Sequence, residues 1–225
     1  MKTWCIGTPS ASYVAKMEDV LDVYHRPYDP LRPVICLDET SKELRATPHG
    51  TEPMSLHHAR REDYEYERHG VRNLFLWVEP LAGRRQVTVT ARRTAVDFAE
   101  QIQALVDEAY PDAARLVLVV DNLNTHGPAA LYKRFPPQEA FRLLQKIEWH
   151  YTPEHGSWLN MAEIELSVLT RQCIQGRIAT EAELRTKSTA WQDRRNAAKT
   201  PIDWQFTAED ARIKLKRLYP KLEQY

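Results

Sequence analysis

Two aspartates in this sequence each come directly after a short apolar run, Asp38 after residues 34–37 and Asp121 after residues 115–120. Such runs are typical of buried strands, and the carboxyl ends of strands in an open α/β sheet face the crevice where ligands bind. If the two strands are neighbours, the carboxylates repel each other unless one is protonated or a cation lies between them. Carboxylate oxygens are hard ligands, so the pair predicts a magnesium or manganese site, although either aspartate alone is more simply explained as the start of a turn.

The third ligand that such a site needs is ambiguous between two glutamates of one predicted helix. Asn160 is placed to cap this helix, which puts Glu163 at the third helical position, where a glutamate commonly completes a capping box. Glu165 lies about 200° further round the helix. It falls within the apolar face, where a carboxylate needs a cation or hydrogen-bond donors. Helical periodicity therefore favours Glu165, but it does not settle the choice.

The elements that must position these acids follow one another in an informative order. Three early strands suggest antiparallel neighbours, and the later alternation of strand and helix suggests parallel crossovers. Residues 40–70 are polar and predict a long surface excursion. The order as a whole predicts an α/β fold, a ribonuclease-H-like mixed sheet with helices on both faces. The predicted strands are at about 34–38, 72–79, 85–90, 115–120 and 147–151, and the helices at about 10–24, 94–110, 139–146 and 161–173.

Three segments are expected along the chain. Residues 1–33 are expected to form an N-terminal helix and a Pro-rich linker, and residues 34–176 the ribonuclease-H-like domain that carries the acids. Residues 177–225 are polar and are expected to be a helical extension packed on the core. Composition marks no clear boundary for a second globular domain.

Several segments together resemble a known family, the mariner-related transposases of the insertion-sequence 630 family, which belong to the DDE superfamily of endonucleases. Their order and spacing are far more specific than three isolated acids, and the resemblance covers essentially the whole chain. The matching segments are 37–40 (LDET), 63–68 (DYEYER), 119–126 (VVDNLNTH), 149–165 (WHYTPEHGSWLNMAEIE) and 204–212 (WQFTAEDAR).

The resemblance implies a ribonuclease-H-like domain whose two aspartates and one glutamate bind two magnesium (or manganese) ions. Asp38 matches the aspartate that ends the first strand of the family, and Asp121 the one that opens an Asp-Asn…His segment. Asn122 and His126 of that segment are implied as active-site support. Glu163 matches the glutamate of a Leu-Asn-x-x pattern and is preferred on that basis, with Glu165 as the alternative. Met161-Ala162 stands where many relatives carry Pro-Ile, so the chain belongs to a variant branch.

The implied chemistry is two-metal phosphoryl transfer on DNA, with in-line attack by water and later by a DNA 3′-hydroxyl. It cleaves the element's ends and joins them into a target, a TA dinucleotide by resemblance. Arg60, Arg61 and Arg68 are interleaved with tyrosines and are candidates for contact with the DNA backbone. A solvated loop or strand edge explains these arginines equally well. His150 and His155 lack the spacing of a zinc site.

Composition restricts the setting without naming the function. The 31 basic and 31 acidic side chains cancel, so the whole chain lacks the basic excess common in nucleic-acid-binding proteins. No apolar run approaches the roughly 20 residues that span a bilayer, and the first residues do not resemble a signal peptide. Three scattered cysteines fit reduced thiols. These features predict a protein of the bacterial cytoplasm that associates with the nucleoid when bound to DNA.

The expected partners are the DNA of the element ends and of the target, with the chain acting as a homodimer on DNA. Family members usually carry helix-turn-helix modules before the catalytic domain, but only about 30 residues precede the first strand here. The chain is therefore interpreted either as the second product of a split gene, with an upstream helix-turn-helix protein as partner, or as a truncated form. In either case the chain alone should bind DNA weakly. The rival readings are another ribonuclease-H-like nuclease, a non-catalytic remnant that regulates a partner and, last, a carboxylate-pair glycosidase.

Overall fold

A five-stranded mixed sheet forms the centre of the computed structural model, which describes residues 10–48, 51–52, 54–59, 61–62, 64–123 and 125–220. The strands are β1 (Val34–Ala46), β2 (Thr51–Glu52), β3 (Arg61–Glu62), β4 (Glu67–Glu79), β5 (Arg84–Thr90), β6 (Leu116–Val120) and β7 (Ile147–Tyr151). The sheet order is β5-β4-β1-β6-β7, and β2 and β3 form a separate two-stranded sheet. β1 is antiparallel to β4 but parallel to β6, which in turn is parallel to β7. This is the mixed sheet that the order of elements predicted.

Helices cover both faces of the sheet. They are α1 (Ala11–Tyr24), α2 (Ala95–Ala104), α3 (Pro128–Arg134), α4 (Pro137–Gln145), α5 (Met161–Leu169), α6 (Glu181–Ala197) and α7 (Ala208–Lys214). α2 and α5 each continue into a π-helical turn, at Leu105–Ala109 and Thr170–Ile174. No helix in the described part of the chain is long and apolar enough to cross a membrane.

Alternation along the strands divides the buried side chains into two cores, one on each face. In β1, Cys36 belongs to one core, whereas Ile35 and Leu37 belong to the other. The first core packs α1, α5, α6 and α7 against the sheet, and the second packs α2, α3 and α4 against the opposite face. The first core therefore draws residues from all three segments expected from the sequence.

The first strand is much longer than predicted. β1 continues to Ala46 and pairs with β4 through Glu67, so part of the expected 40–70 excursion is a two-stranded ribbon. The expectation that Asp38 ends this strand is wrong, because Asp38 is followed by eight further strand residues. The extension escaped prediction because its sequence is mostly polar, and on β4 residues 67–71 are exposed.

The region after β6 contains a short helix, α3, that the sequence reading did not assign. Pro128 occupies its first turn, where the missing backbone N–H costs nothing, and Gly127 is its N-cap. Among the described cysteines, Cys36 and Cys173 are free thiols. Cys5 lies outside the described residues, as do the ends 1–9 and 221–225 of the two terminal segments.

α6 packs along the edge strand β5 and satisfies its backbone. Val87 N donates to Gln192 Oε1 at 2.8 Å. Arg85 N donates to Asn196 Oδ1 at 2.9 Å, and Asn196 Nδ2 returns a bond to Arg85 O at 2.8 Å. Residues 199–201 lie close to the turn between β4 and β5, where a Cβ at Gly83 (φ 65°) would come within 2.9 Å of backbone. The C-terminal segment thus covers an edge that would otherwise be open to pairing.

Candidate active site

Asp38 lies within β1 at the point where its neighbour β6 ends. The parallel pairing between the two strands runs from Val34↔Val117 to Cys36↔Val119, and β6 stops one residue later at Val120. Beyond that point only β4 continues beside β1. Asp38 is buried and on the same face as Cys36, beneath the beginning of α5.

Asp121 follows β6 directly and is half-buried. Because β6 is parallel to β1 and adjacent to it, both aspartates stand at the same end of the sheet. The two strands are therefore neighbours, which was the condition for expecting the carboxylates to meet.

α5 brings the glutamates to this end of the sheet, and Asn160 joins the helix to β1. Asn160 is the N-cap, accepting from Ala162 N at 3.1 Å. Its amide nitrogen donates to Leu37 O at 3.0 Å and lies 3.4 Å from Asp38 Oδ2. One buried side chain thus caps the helix and fixes its first turn beside Asp38. The sequence indicated the cap, but nothing in it indicated the bond to β1.

Glu163 and Glu165 have different surroundings. Glu163 is in the first turn of α5 and is partly exposed, where the helix N-terminus favours a carboxylate. Glu165 is 1% exposed, and its carboxylate contacts two guanidinium groups, those of Arg85 and Arg195. The requirement for a cation on the apolar face is thus met by arginines, which lie far away in the sequence.

The electrostatics of Asp38 link it to the other acids. Burial raises the pKa of Asp38 to about 7, and the negative charges of Glu39, Asp121 and Glu163 add to the rise. A hydrogen bond from Glu39 N to Asp38 Oδ1, 2.7 Å long, acts in the opposite direction and lowers the pKa. A cation placed among these acids would relieve the repulsion between their charges.

His126 lies between two carboxylates at the mouth of the site. Its Nδ1 is hydrogen-bonded to Asp121 Oδ1, and its Nε2 lies 3.1 Å from Glu39 Oε2. Its ring stacks on Phe98 with the centroids 4.6 Å apart. Burial lowers the pKa of His126, but the contacts with Asp121 and Glu39 outweigh it and raise that pKa to about 9. Glu39 was missed in the sequence, where only its place beside Asp38 and its acidity could have indicated it.

The donor set fits a hard divalent cation in charge and in atom type, because carboxylate oxygens are what Mg²⁺ and Mn²⁺ prefer. Burial and the neighbouring acids both raise the pKa of Asp38, and a cation would stabilise its ionised form. Within the described residues, no group of three or more His, Cys, Asp or Glu side chains is close enough together to hold an ion. The acids are therefore gathered at one end of the sheet but not closed around a common point.

The remaining predicted residues lie apart from this cluster or outside the described chain. Asn122 is exposed next to Asp121. Arg60 lies outside the described residues, and for Arg61 only the backbone, in β3, is described. Arg68 is an exposed side chain of the β1–β4 ribbon whose Nε lies 3.1 Å from Glu43 Oε1. The structure thus groups the acids and His126 but does not bring Arg68 to them.

Comparison with known proteins assigns the family. The family model described as DDE superfamily endonuclease matches residues 33–185, a range that includes Asp38, Asp121 and Glu163. No curated protein matches the chain.

Solved structures support the same fold. The Mos1 strand transfer complex superimposes with a TM-score of 0.52 at 12% identity, covering 89% of this chain and 63% of that one. The Mos1 mariner paired end complex with Mn gives 0.50 at 14% identity, covering 97% of this chain and 63% of that one. The chain thus spans less than two thirds of the transposase chains that it matches. It belongs to the DDE superfamily of endonucleases, with the ribonuclease-H-like fold of the mariner transposase catalytic domain.

Proposed function

We propose that this chain is the catalytic domain of a DNA transposase that cleaves phosphodiester bonds at the ends of an insertion sequence and joins them to target DNA. The observation that carries the proposal is that Asp38 and Asp121 stand at the same end of two adjacent parallel strands of a ribonuclease-H-like sheet, where Asn160 fixes the first turn of α5, which carries Glu163, beside Asp38. The similar solved structures are transposase complexes, one of them a strand transfer complex and one prepared with Mn.

Asp38, Asp121 and Glu163 are the proposed ligands of two Mg²⁺ or Mn²⁺ ions. When bound, these ions supply an activated nucleophile and stabilisation of the leaving oxygen for in-line displacement at phosphorus. Glu163 is preferred over Glu165 because the carboxylate of Glu165 is already held by Arg85 and Arg195.

The chain's own residues orient the acids. His126 is hydrogen-bonded to Oδ1 of Asp121, and Oδ2 is the proposed metal ligand. Asn160 keeps the first turn of α5 against β1, so that Glu163 remains near Asp38. Such supporting bonds fix the direction of a ligand and tune the site. Asn122 is proposed to face the DNA from its exposed position beside Asp121.

The proposed partner is DNA, bound by a dimer of the chain, with recognition of the element ends supplied by a helix-turn-helix region. Arg60, Arg61 and Arg68 remain candidates for contact with the DNA backbone. The Arg68 side chain is 70% exposed although it contacts Glu43 and is hydrogen-bonded to Tyr66, so its guanidinium is accessible to a phosphate.

Strand joining separates this proposal from its rivals. The experiment incubates the chain, alone and with the protein encoded upstream, with duplexes that carry the element's ends and Mg²⁺ or Mn²⁺. A transposase yields both cleaved ends and products joined to a target plasmid, and Asp121→Asn yields neither. Cleavage without joining under all conditions would instead identify a ribonuclease-H-like nuclease. A chain that stimulates or inhibits its partner without either reaction would be a regulator.

A further inference from the structure

Three charged side chains, Glu165, Arg85 and Arg195, connect α5 to the edge strand β5 and to α6. Arg195 on α6 donates from Nη2 to Glu165 Oε1 at 2.7 Å and from Nε to Oε2 at 3.1 Å. Arg85 on β5 has its Nε 3.1 Å from the same Oε2, and its side chain is 0% exposed. The buried Glu165 carboxylate therefore contacts one guanidinium from β5 and another from α6.

The α6 side of this cluster is itself anchored. Arg85 Nη2 donates to Thr200 O at 2.6 Å, and Asn196 exchanges two hydrogen bonds with the Arg85 backbone. The guanidinium of Arg195 also lies over the buried Trp191 ring, 5.4 Å from its centroid. Arg195 is thus attached to β5 through its own helix and cannot readily follow a movement of α5.

Helical geometry gives this attachment a consequence for Glu163. Glu163 and Glu165 are about 200° apart around α5, so they face nearly opposite sides of the helix. Rotation of α5 about its axis would swing Glu163 away from Asp38 and would also break the buried bonds to Glu165, which is strongly unfavourable. Asn160 restrains the start of the helix from the other side.

We propose that Arg195 is a positioning residue for the metal-binding acids. Acting through Glu165, it fixes the rotation of α5 and so holds Glu163 towards Asp38. This inference rests on the proposed function, because it concerns how the acids take up a divalent cation. Arg195 lies beyond residues 33–185, the part that matches the family model, so the C-terminal segment contributes to a site whose acids lie outside it.

The test is direct measurement of Mn²⁺ binding, by electron paramagnetic resonance of the free ion, on the full chain. Arg195→Ala is expected to weaken binding about 10-fold, the effect typical of lost support for a ligand. Arg195→Lys keeps the positive charge but loses the bidentate contact with Glu165. Its Mn²⁺ affinity should therefore lie between those of the wild type and Arg195→Ala. Arg194→Ala removes the neighbouring, exposed arginine and should change affinity less than about twofold.

Gln192→Ala separates positioning from general loosening of α6. It removes the bond from α6 to Val87 N without touching Glu165, so it should lower Tm but leave Mn²⁺ affinity intact. Unchanged affinity in Arg195→Ala, or an equal loss in Gln192→Ala, would overturn the inference. If Arg195→Ala does not fold, wild-type affinity in Arg195→Lys overturns it. A wild-type chain that binds no Mn²⁺ would contradict the proposed function itself.

Discussion

Glu163 and Glu165 are two residues apart on one helix, yet their surroundings differ sharply. Glu163 is partly exposed in the first turn of α5 and its charge contributes to the raised pKa of Asp38, whereas Glu165 is buried against Arg85 and Arg195. Helical spacing correctly indicated that a carboxylate at 165 needs a cation. It could not identify that cation, because both arginines come from elements distant in the sequence. The preference for Glu163 came from the family pattern, and the described contacts supply a physical reason for it.

The two glutamates should therefore respond differently to neutralisation. Glu163→Gln is expected to abolish metal-dependent DNA cleavage with little change in Tm, because it removes a ligand at a partly exposed site. Glu165→Gln should lower the free energy of unfolding by about 3 kcal/mol, because it leaves buried arginines unpaired. At temperatures below its Tm, Glu165→Gln should still cleave DNA when Mn²⁺ is high, because its proposed metal ligands, Asp38, Asp121 and Glu163, are unchanged. Cleavage assays across a Mn²⁺ titration distinguish these cases, and full activity in Glu163→Gln would reverse the assignment.

The raised pKa of Asp38 predicts how stability depends on pH when no metal is bound. Its folded-state pKa is about 7, above the ordinary value of 3.8, so between these values the folded chain holds a proton that the unfolded chain releases. Stability in EDTA should thus fall as pH rises from about 4 to 7. His126, whose pKa is raised to about 9 from 6.5, adds a fall in the same direction, but only above about pH 6.5.

Asp38→Asn isolates this contribution. Between pH 4.5 and 6.5 in EDTA, the variant should lose less stability than the wild type, and its Tm should be higher by several degrees near pH 7. Thermal unfolding monitored by circular dichroism measures both. Mn²⁺ should raise the Tm of the wild type at pH 7.5 but have little effect on the variant. If the Tm of the two proteins depended on pH in the same way, the loss of stability could not be attributed to Asp38.

At the scale of elements, the buried strands and amphipathic helices could be predicted because their side chains follow the periodicity of a core. The β1–β4 ribbon could not, because residues such as Lys42 and Arg72 lie where alternation no longer separates a buried face from an exposed one. Asp38 consequently seemed to end a strand when it only marks the end of pairing with β6. Helix α3 escaped because seven residues carry too little periodicity.

The junction between α5 and β1 gives a prediction at this scale. Asn160→Ala removes a helix cap and also the bond to Leu37 O, whereas Thr180→Ala removes only the cap of α6, a bond to Glu183 N. Losing the cap should lower the free energy of unfolding by about 1 kcal/mol in either variant. The loss should be larger in Asn160→Ala, because the bonds of Asn160 are buried. Only Asn160→Ala should also weaken Mn²⁺ binding. Equal Mn²⁺ affinities in the two variants would mean that Asn160 acts as a cap alone.

For the whole molecule, the order of strands and helices was sufficient to predict the fold, which the family match and the superposition confirm. Net charge is less informative, because 31 basic and 31 acidic side chains cancel and several cations are already paired with acids. A chain without net charge has little electrostatic attraction to the DNA backbone beyond its local contacts.

DNA binding by this chain alone should therefore be weak and insensitive to sequence. The expected Kd is about 10⁻⁶ M or weaker near physiological salt, and it should weaken further as salt increases. Fluorescence anisotropy with an element-end duplex and a scrambled duplex of equal length measures both properties. Nanomolar binding that prefers the element end would show that recognition resides in this chain.

The most direct test of the proposed metal ligands is the anomalous difference map of crystals soaked in Mn²⁺. We predict peaks bound by carboxylate oxygens of Asp38, Asp121 and Glu163 at about 2.2 Å, with Glu165 still held by its arginines. The same soak of Asp121→Asn crystals should lose or weaken these peaks. Peaks on Glu165 in place of Glu163, or none at this end of the sheet at saturating Mn²⁺, would contradict the account.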